Sequence, residues 1–341
     1  MKLLFIGGTG TISTAVSAAA LAAGHELYLI NRGNRNSRVP EGAVSLTADI
    51  NSEQQVAALI DGLEFDAVAD FIAFVPAHLE RDYRLFRGRT RQFIFISSAS
   101  TCRKPPADYR ISEATPLANP YSQYARDKIA CEEYLLSLYR RGLFPATIVR
   151  PSHTYCELAA PVAVRGANGS WQVLQRMLER KPVIIHGDGT SLWTMTHSRD
   201  FAQAFIGLTG NIHAIGETVQ ITSDEVLTWN QIYECTAQAL HVPLNALHVP
   251  SELLAACSPY DYTANLLGDK AHSLVFDNTK LKRMVPGFTA TVRFDRGIRE
   301  TVDYILSHKE CRPADEAFDA WCDRVVSVMQ HAAGVLNPNA L

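Results

Sequence analysis

The feature that most constrains this chain is Gly7-Gly8-Thr9-Gly10-Thr11-Ile12-Ser13, which lies between an apolar run at 3–6 and an Ala-rich segment at 13–23. The short apolar run reads as a buried strand, and the Ala-rich segment, stopped by Gly24, reads as a helix. Glycines at such a junction let the backbone approach a pyrophosphate, and the helix N-terminus offers its unpaired N–H groups to the same anion. A Gly-rich turn alone is weak evidence. One that follows a strand and opens a helix has the context of a dinucleotide site. Ser13 stands where the usual third glycine would be; that place serves close helix–strand packing, so a small residue fits. Gly7, Thr9, Gly10, Thr11 and Ile12 are therefore expected to contact a dinucleotide.

The alternation continues along the chain. Segments 26–30, 66–71, 92–96 and 146–150 read as strands, 52–63 as a helix with Ser52 as its cap, and 121–141 as a long amphipathic helix closed by Gly142. Strands that alternate with helices of this length predict an α/β fold, a Rossmann-type doubly wound parallel sheet. After Pro151 the rhythm weakens. Helices are expected at 171–180 and 199–208 and a strand at 182–186, with a mixed remainder at 215–222, 229–240, 251–256 and 296–306. The expected division is a dinucleotide-binding domain at 1–155 with a return around 183–210, and a smaller mixed α/β substrate-binding domain at 156–341. The tail at 315–333 carries Phe318, Trp321, Val325, Val326 and Met329 on one side and is expected to pack on the body.

Composition narrows the function classes. Among 341 residues, Lys+Arg 32 against Asp+Glu 35 leaves a formal net charge of -3, which argues against nucleic acid or an anionic membrane as the main partner. The seven cysteines are odd in number and form no Cys-x-x-Cys pair, so reduced thiols in a cytoplasm are expected, and no Cys/His cluster offers a metal site. Gly7-Gly8 ends the first apolar run too early for a signal peptide, and no stretch approaches the length of a membrane span.

Three further segments carry chemistry. Asn31-Arg32-Gly33 follows the second strand, where NAD-preferring folds place an acidic residue on the ribose 2′-hydroxyl. Here Arg32, with Arg35 and Arg38 behind it, offers guanidinium groups to a 2′-phosphate, so NADP is favoured and NAD stays open. Asp49 and Ile50 are placed for the adenine. Phe71, Ile72 and Ala73 end the next strand beside the cofactor, whereas Asp70 reads as a buried structural carboxylate. Most specific is the pairing of the strand end Ser97-Ser98-Ala99-Ser100 with Tyr124-Ala125-Arg126-Asp127-Lys128 on the long helix. Tyr and Lys at i and i+4 share a helix face, and a nearby ammonium favours phenolate over phenol. Such a phenol can move a proton to or from a substrate hydroxyl while hydride moves at a nicotinamide, with a serine holding the same oxygen.

With these motifs, from Lys2 to about Leu306, the chain resembles the extended short-chain dehydrogenase/reductase superfamily, in its NAD(P)-dependent epimerase/dehydratase branch. The resemblance extends through Arg150-Pro151-Ser152-His153-Thr154-Tyr155, Gly187-Asp188-Gly189, His197-Ser198-Arg199-Asp200 and Phe276-Asp277-Asn278-Thr279-Lys280. It implies Ser98, Tyr124 and Lys128 as catalytic residues. It also implies cofactor contacts from Gly7, Gly10, Arg32, Asp49, Ser97, Tyr124, Lys128, Pro151, Ser152 and His153. Ser100, Arg165, Trp171 and Trp193 are the expected substrate contacts. Sugar 4,6-dehydratases of the branch carry an Asp-Glu pair after the catalytic hydroxyl residue; here Ala99 and Ser100 stand there, which removes the machinery for elimination. Ser191-Leu192-Trp193-Thr194 likewise lacks the Arg with which many nucleotide-sugar members grip a phosphate. The expected activity is an NAD(P)-dependent sugar or nucleotide-sugar epimerase or oxidoreductase. The alternatives are an NADP-dependent dehydrogenase or reductase of a non-nucleotide substrate, or a non-catalytic cofactor-binding or RNA-binding relative. A homodimer through two helices of the cofactor domain is the partner that the resemblance allows.

Overall fold

Leu3, Leu4, Phe5 and Ile6 are all fully buried. A strand covered on both faces needs no alternation, which is why this run is continuously apolar. The computed structural model describes residues 1–34 and 36–336. In chain order its elements are β1 (Lys2–Ile6), α1 (Ser13–Ala22), β2 (Glu26–Asn31), β3 (Val44–Thr47), α2 (Glu53–Leu59), β4 (Ala67–Asp70), α3 (Pro76–Phe86), β5 (Phe93–Ile96), β6 (Arg110–Ile111), α4 (Gln123–Arg140), β7 (Ala146–Pro151) and β8 (His153–Tyr155). They continue as α5 (Trp171–Leu178), β9 (Val183–His186), β10 (Leu192–Trp193), β11 (Met195–His197), α6 (Ser198–Leu208), β12 (Thr218–Ile221), β13 (Leu227–Thr228) and α7 (Trp229–Ala239). The last are β14 (Ala246–Val249), α8 (Ser251–Cys257), β15 (Val275–Phe276), α9 (Thr279–Met284), α10 (Phe294–Ser307) and α11 (Glu316–Leu336).

The chain divides into two units. The first comprises Met1–Tyr155, Thr194–Glu225 and Leu274–Val292. Its centre is a seven-stranded parallel sheet in the order β12-β7-β5-β4-β1-β2-β3, the doubly wound arrangement that the alternation predicts. One face packs Leu3, Phe5, Leu27 and Leu29 against Val16 and Ala20 of α1 and Phe201 and Phe205 of α6. The other packs Leu4, Ile6, Val68 and Phe95 against Val56 of α2, Leu79 of α3 and Leu135 of α4. Each such large side chain taken fully from water contributes roughly 1.5–3 kcal/mol. Strand order reverses about β1, which lies between β2 and β4, and Ile6 is in register with both Ile30 and Asp70. The residues after these strands therefore emerge together at the carboxyl edge, the crevice where such sheets bind ligands. Helix α3 has no counterpart among the elements expected from the sequence, although Pro76 at its start and the spacing of Leu79, Asp82, Leu85 and Phe86 on its buried side fit a helix.

The second unit comprises Cys156–Trp193, Val226–Ser273 and the chain from Arg293. The return of the chain to the first unit begins at Thr194, so 183–193 stay in the second unit, where β9 pairs in parallel with β14. The first unit also takes back Leu274–Val292. Within the second unit α7 packs on α10, and Tyr260, Tyr262, Phe318 and Trp321 form an aromatic cluster. On α11 Phe318, Trp321 and Cys322 are buried, while Val328 and Val335 are exposed, so only the first half of the expected apolar side is fully covered. Among the described residues no helix is long and apolar enough to cross a membrane.

Candidate active site

The glycine turn is closed by a residue that the sequence marks only as small. Ser13 Oγ donates to the Gly7 carbonyl at 2.6 Å and accepts the Gly10 N–H at 2.8 Å. Gly7 has φ +83°, and a Cβ there would sit 2.5 Å from Ile72 Cγ2, so only glycine lets the turn lie against the end of β4. The α1 ladder starts with Thr14 N–H to the Gly10 carbonyl, which leaves the preceding amides of the turn outside it.

Above this turn is a cleft of 580 Å³ lined by Gly7, Thr9, Gly10, Ile30, Asn31, Arg32, Gly33, Asn34, Ala48, Asp49, Ile50, Asn51, Ile72, Phe74 and His78. Most of the expected cofactor residues up to Ile72 are on its wall. Thr11 and Ile12 are not, because the chain turns there into α1 and Ile12 packs partly on the core. Phe71 is also absent from the wall: its ring meets Phe5 and Phe205 in the core, each at 5.6 Å. Arg32 is exposed at the rim; Arg38 lies outside the lining, and Arg35 lies outside the described residues. Asp49 Oδ1 accepts the Asn51 N–H at 2.9 Å, so one carboxylate oxygen shapes its own loop.

The sequence reading missed Asn51, Phe74 and His78. They depend on α3: Arg81 Nη1 on that helix donates to Asn51 Oδ1 at 2.8 Å, and His78 Nδ1 accepts the Phe74 N–H at 3.1 Å. Arg81 is buried with Asp70 and Asp82. Burial, together with the neighbouring Asp70 carboxylate, pushes the Asp82 carboxyl well above the usual range. Asp70 itself caps the following loop, accepting the Ile72 and Ala73 N–H groups at 2.5 and 2.8 Å.

Helix α4 is capped by Ser122, whose Oγ accepts the Ala125 N–H. It brings Tyr124 and Lys128 to the carboxyl edge of the sheet. Lys128 is 2% exposed, and its ammonium donates to the carbonyls of Ala73 and Ile96, both at 2.7 Å. It lies 4.6, 4.9 and 5.7 Å from the ring centres of Phe95, Phe74 and Tyr124. Burial pulls its pKa down from 10.5 to about 8. Tyr124 is 44% exposed, with its ring 6.3 Å from that of Phe74. Ser98 caps the 3-10 turn Ala99–Thr101, accepting the Ser100 N–H at 3.1 Å with its Oγ 2.9 Å from Ser100 Oγ, and α4 packs against that turn. Ser97 points the other way: its buried Oγ donates to Glu132 Oε1 at 2.5 Å, and Glu132 holds Arg150 through two further bonds.

Pro151 ends β7 opposite Ile221, and His153 opens β8 opposite Met195. Ser152 Oγ donates to the Thr194 carbonyl at 3.3 Å. His197 caps α6, accepting the Arg199 N–H at 3.2 Å, and Asp200 holds the backbone at Thr291 and Val292. The other expected substrate residues belong to the second unit. Arg165 is exposed, and Trp171 lies beneath the Arg312 guanidinium at 5.6 Å. Trp193 is 2% exposed with its ring 5.6 Å from that of Trp229, so it is core rather than a platform for a sugar face.

The first unit fits a dinucleotide on three observations. The glycine turn lies so close to Ile72, after β4, that a side chain at Gly7 would clash with it. The Asn31 side-chain nitrogen, buried beside the cleft, has no hydrogen-bond partner among the described residues. Two of the three N–H donors of Lys128 are held by carbonyls, which leaves one for a ligand hydroxyl.

Comparison with known proteins agrees with this geometry. The chain is 27% identical over 288 residues to 2'-dehydrokanamycin reductase of Streptomyces kanamyceticus, covering 84% of this chain and 80% of the relative. The structure of Pal from Bacillus thuringiensis superposes with a TM-score of 0.72 at 21% identity, over 90% of this chain and 99% of that one. UDP-glucuronic acid 4-epimerase from Bacillus cereus, solved in complex with NAD, gives 0.69 at 19% identity over 92% and 99%. These structural likenesses establish the shared fold. The model of a family described as NAD dependent epimerase/dehydratase matches residues 3–221, well over half of the sequence. The chain belongs to the NAD-dependent epimerase/dehydratase family.

Proposed function

We propose that this chain moves hydride between a nicotinamide dinucleotide and a hydroxyl-bearing carbon of a sugar-type small molecule. The observation that carries the reading is the Tyr124–Lys128 pair on α4, with a buried ammonium beneath an exposed phenol ring. Bound dinucleotide supplies the acceptor and donor of hydride. Tyr124 takes the hydroxyl proton as the carbon loses hydride and becomes a ketone; in the reverse direction it returns that proton to the oxygen. Lys128 favours the phenolate by its charge, and its remaining N–H serves the nicotinamide ribose. Ser98 Oγ orients the reacting oxygen. Ala99 and Ser100 offer no carboxylate for removing water, so elimination is left out of the reading.

An epimerase returns the hydride to the other face of the ketone, and a reductase releases the alcohol as product. Likeness to 2'-dehydrokanamycin reductase supports the second fate, with a sugar derivative that carries no nucleotide as substrate. The stretch Ser191-Leu192-Trp193-Thr194 agrees, because it has no Arg for a diphosphate. Arg32 on the cleft rim supports NADP(H) over NAD(H).

The test is a panel of keto sugars, their alcohols and nucleotide sugars, followed by the absorbance of reduced nicotinamide. Net NADPH consumption identifies a reductase, and isomerised product without net change identifies an epimerase. Tyr124→Phe should lower kcat by about 10²–10⁴ on the substrate found. Full turnover by that variant would overturn the assignment, and tighter binding of NAD than of NADP would overturn the cofactor preference.

A further inference from the structure

We infer that His78 is a positioning residue of the dinucleotide cleft, acting through the backbone of Phe74; this rests on the reading of the cleft as a dinucleotide site. Three consecutive amides after β4 are each caught by a side chain. Ile72 and Ala73 donate to Asp70, and Phe74 donates to His78 Nδ1 at 3.1 Å. From the opposite side Lys128 binds the Ala73 carbonyl at 2.7 Å. The segment thus held forms the boundary between the cleft and the Tyr–Lys pair. Ile72 fills the space where a Gly7 side chain would stand, and the Phe74 ring centre lies 6.3 Å from that of Tyr124 and 4.9 Å from the Lys128 ammonium. A shift of Phe74 would be felt on both sides.

His78 is the third residue of α3 and reaches back to an amide that precedes the helix. An ordinary helix cap would have the same geometry but need not line a cleft, as His78 does. To accept the Phe74 N–H its Nδ1 must stay unprotonated. Arg81 from its own helix, Lys128 from α4 and Asp70 from β4 face the ring, and burial with the two cations keeps its pKa below the ordinary value. Asp70 and a bond to the Ile72 backbone pull the other way.

The variants that separate a positioning role from a cap are His78→Asn and His78→Leu. An Asn amide oxygen falls near the place of Nδ1 and keeps the acceptor; Leu removes it. His78→Gln, whose amide lies further out, stands beside Leu in case that protein does not fold. Each is titrated with NADP⁺ and with NADPH by quenching of intrinsic fluorescence, without substrate, well below its melting temperature. Leu and Gln should weaken binding by roughly tenfold, while Asn stays within about threefold of the wild type. Wild-type affinity in Leu or Gln, or equal loss in Asn and Leu, overturns the role of His78 and leaves the dinucleotide reading standing. A wild-type protein that binds neither NADP⁺ nor NADPH overturns both.

Discussion

The two units bury charge and rings in different proportion. Behind the carboxyl ends of β4, β5 and β7 the first unit buries Asp70, Arg81, Asp82, Ser97, Lys128, Glu132 and Arg150, tied to one another or to backbone. The second has a network about one buried charge, Arg176 with Asp319 and Asp323. Otherwise it buries the rings of Trp193, Trp229, Tyr233 and Tyr262, three of them with a single polar tip on the backbone: Trp229 Nε1 to the Lys270 carbonyl, Tyr262 OH to that of Arg165, and Tyr233 OH accepting the Val164 N–H. A charge network specifies individual atoms, because a misplaced partner leaves a buried charge uncompensated. A core of rings specifies volume and tolerates exchange of one apolar shape for another. The unit that would carry the proposed chemistry relies on the first way far more than the second unit does.

The sharpest attack on that contrast is to remove one half of a pair in each unit. Glu132→Ala strands Arg150, whose Nε and Nη2 bond Glu132 at 2.9 and 2.5 Å, and should cost about 3–5 kcal/mol in urea unfolding. Adding Arg150→Met should return most of that loss, since the penalty is the unpaired charge. Trp229→Ala should cost a similar ~3–5 kcal/mol by opening a cavity. Adding Trp193→Ala should then deepen the loss. Rescue in the second unit, or none in the first, would collapse the distinction.

Acid and alkali probe the same contrast at smaller scale. Buried His186 bonds the Lys270 carbonyl through Nε2, and its pKa is held down from 6.5 to about 4, chiefly by burial. The folded state therefore keeps it neutral while the unfolded chain protonates. Stability is lost as pH falls from 6.5 towards 4, by ~3 kcal/mol in all, and His186→Gln should flatten that slope in melting curves. Lys128 has the same sign in a more alkaline window. Its pKa falls from 10.5 to about 8, so the cost of burying its charge is fully present below 8 and is relieved as pH rises to 10.5. The wild type should gain up to ~3 kcal/mol on Lys128→Met over that range, and parallel curves would refute it.

What could be read in advance follows the same division. Repeated apolar runs with helices between them made the parallel sheet legible, and the motifs at strand ends and on α4 pointed to Gly7, Arg32, Ser98, Tyr124 and Lys128, which the structure places at the carboxyl edge of the sheet. Phe71, Ser97 and Trp193 were misjudged because adjacency in sequence says nothing of which way a side chain points: into the core for Phe71 and Trp193, onto Glu132 for Ser97. His78 and Asn51 escaped because they join the site through α3, a helix with no counterpart among the elements expected from the sequence. In the second unit the backbone constrains the residue at Gly187 and Gly189, whose left-handed φ of +60° and +73° shape the turn after β9, and its rings announce only burial.

Ser13 gives the smallest expected effect and tests the motif itself. The sequence assigns it the packing role of a missing glycine, yet its hydroxyl bridges Gly7 and Gly10 across the turn. If packing were the whole role, Ser13→Gly would restore the usual pattern and Ser13→Ala would be harmless. With the bridge present, Ala leaves the Gly10 N–H and the Gly7 carbonyl without that partner and should cost about 1 kcal/mol in urea unfolding. Gly should cost somewhat more, through the added freedom of a residue that opens a helix. NADP⁺ affinity should drop about twofold to fivefold in both, since the turn loses the bond that fixes its shape. An Ala variant as stable and as tightly binding as the wild type would return Ser13 to the role that spacing alone assigns it.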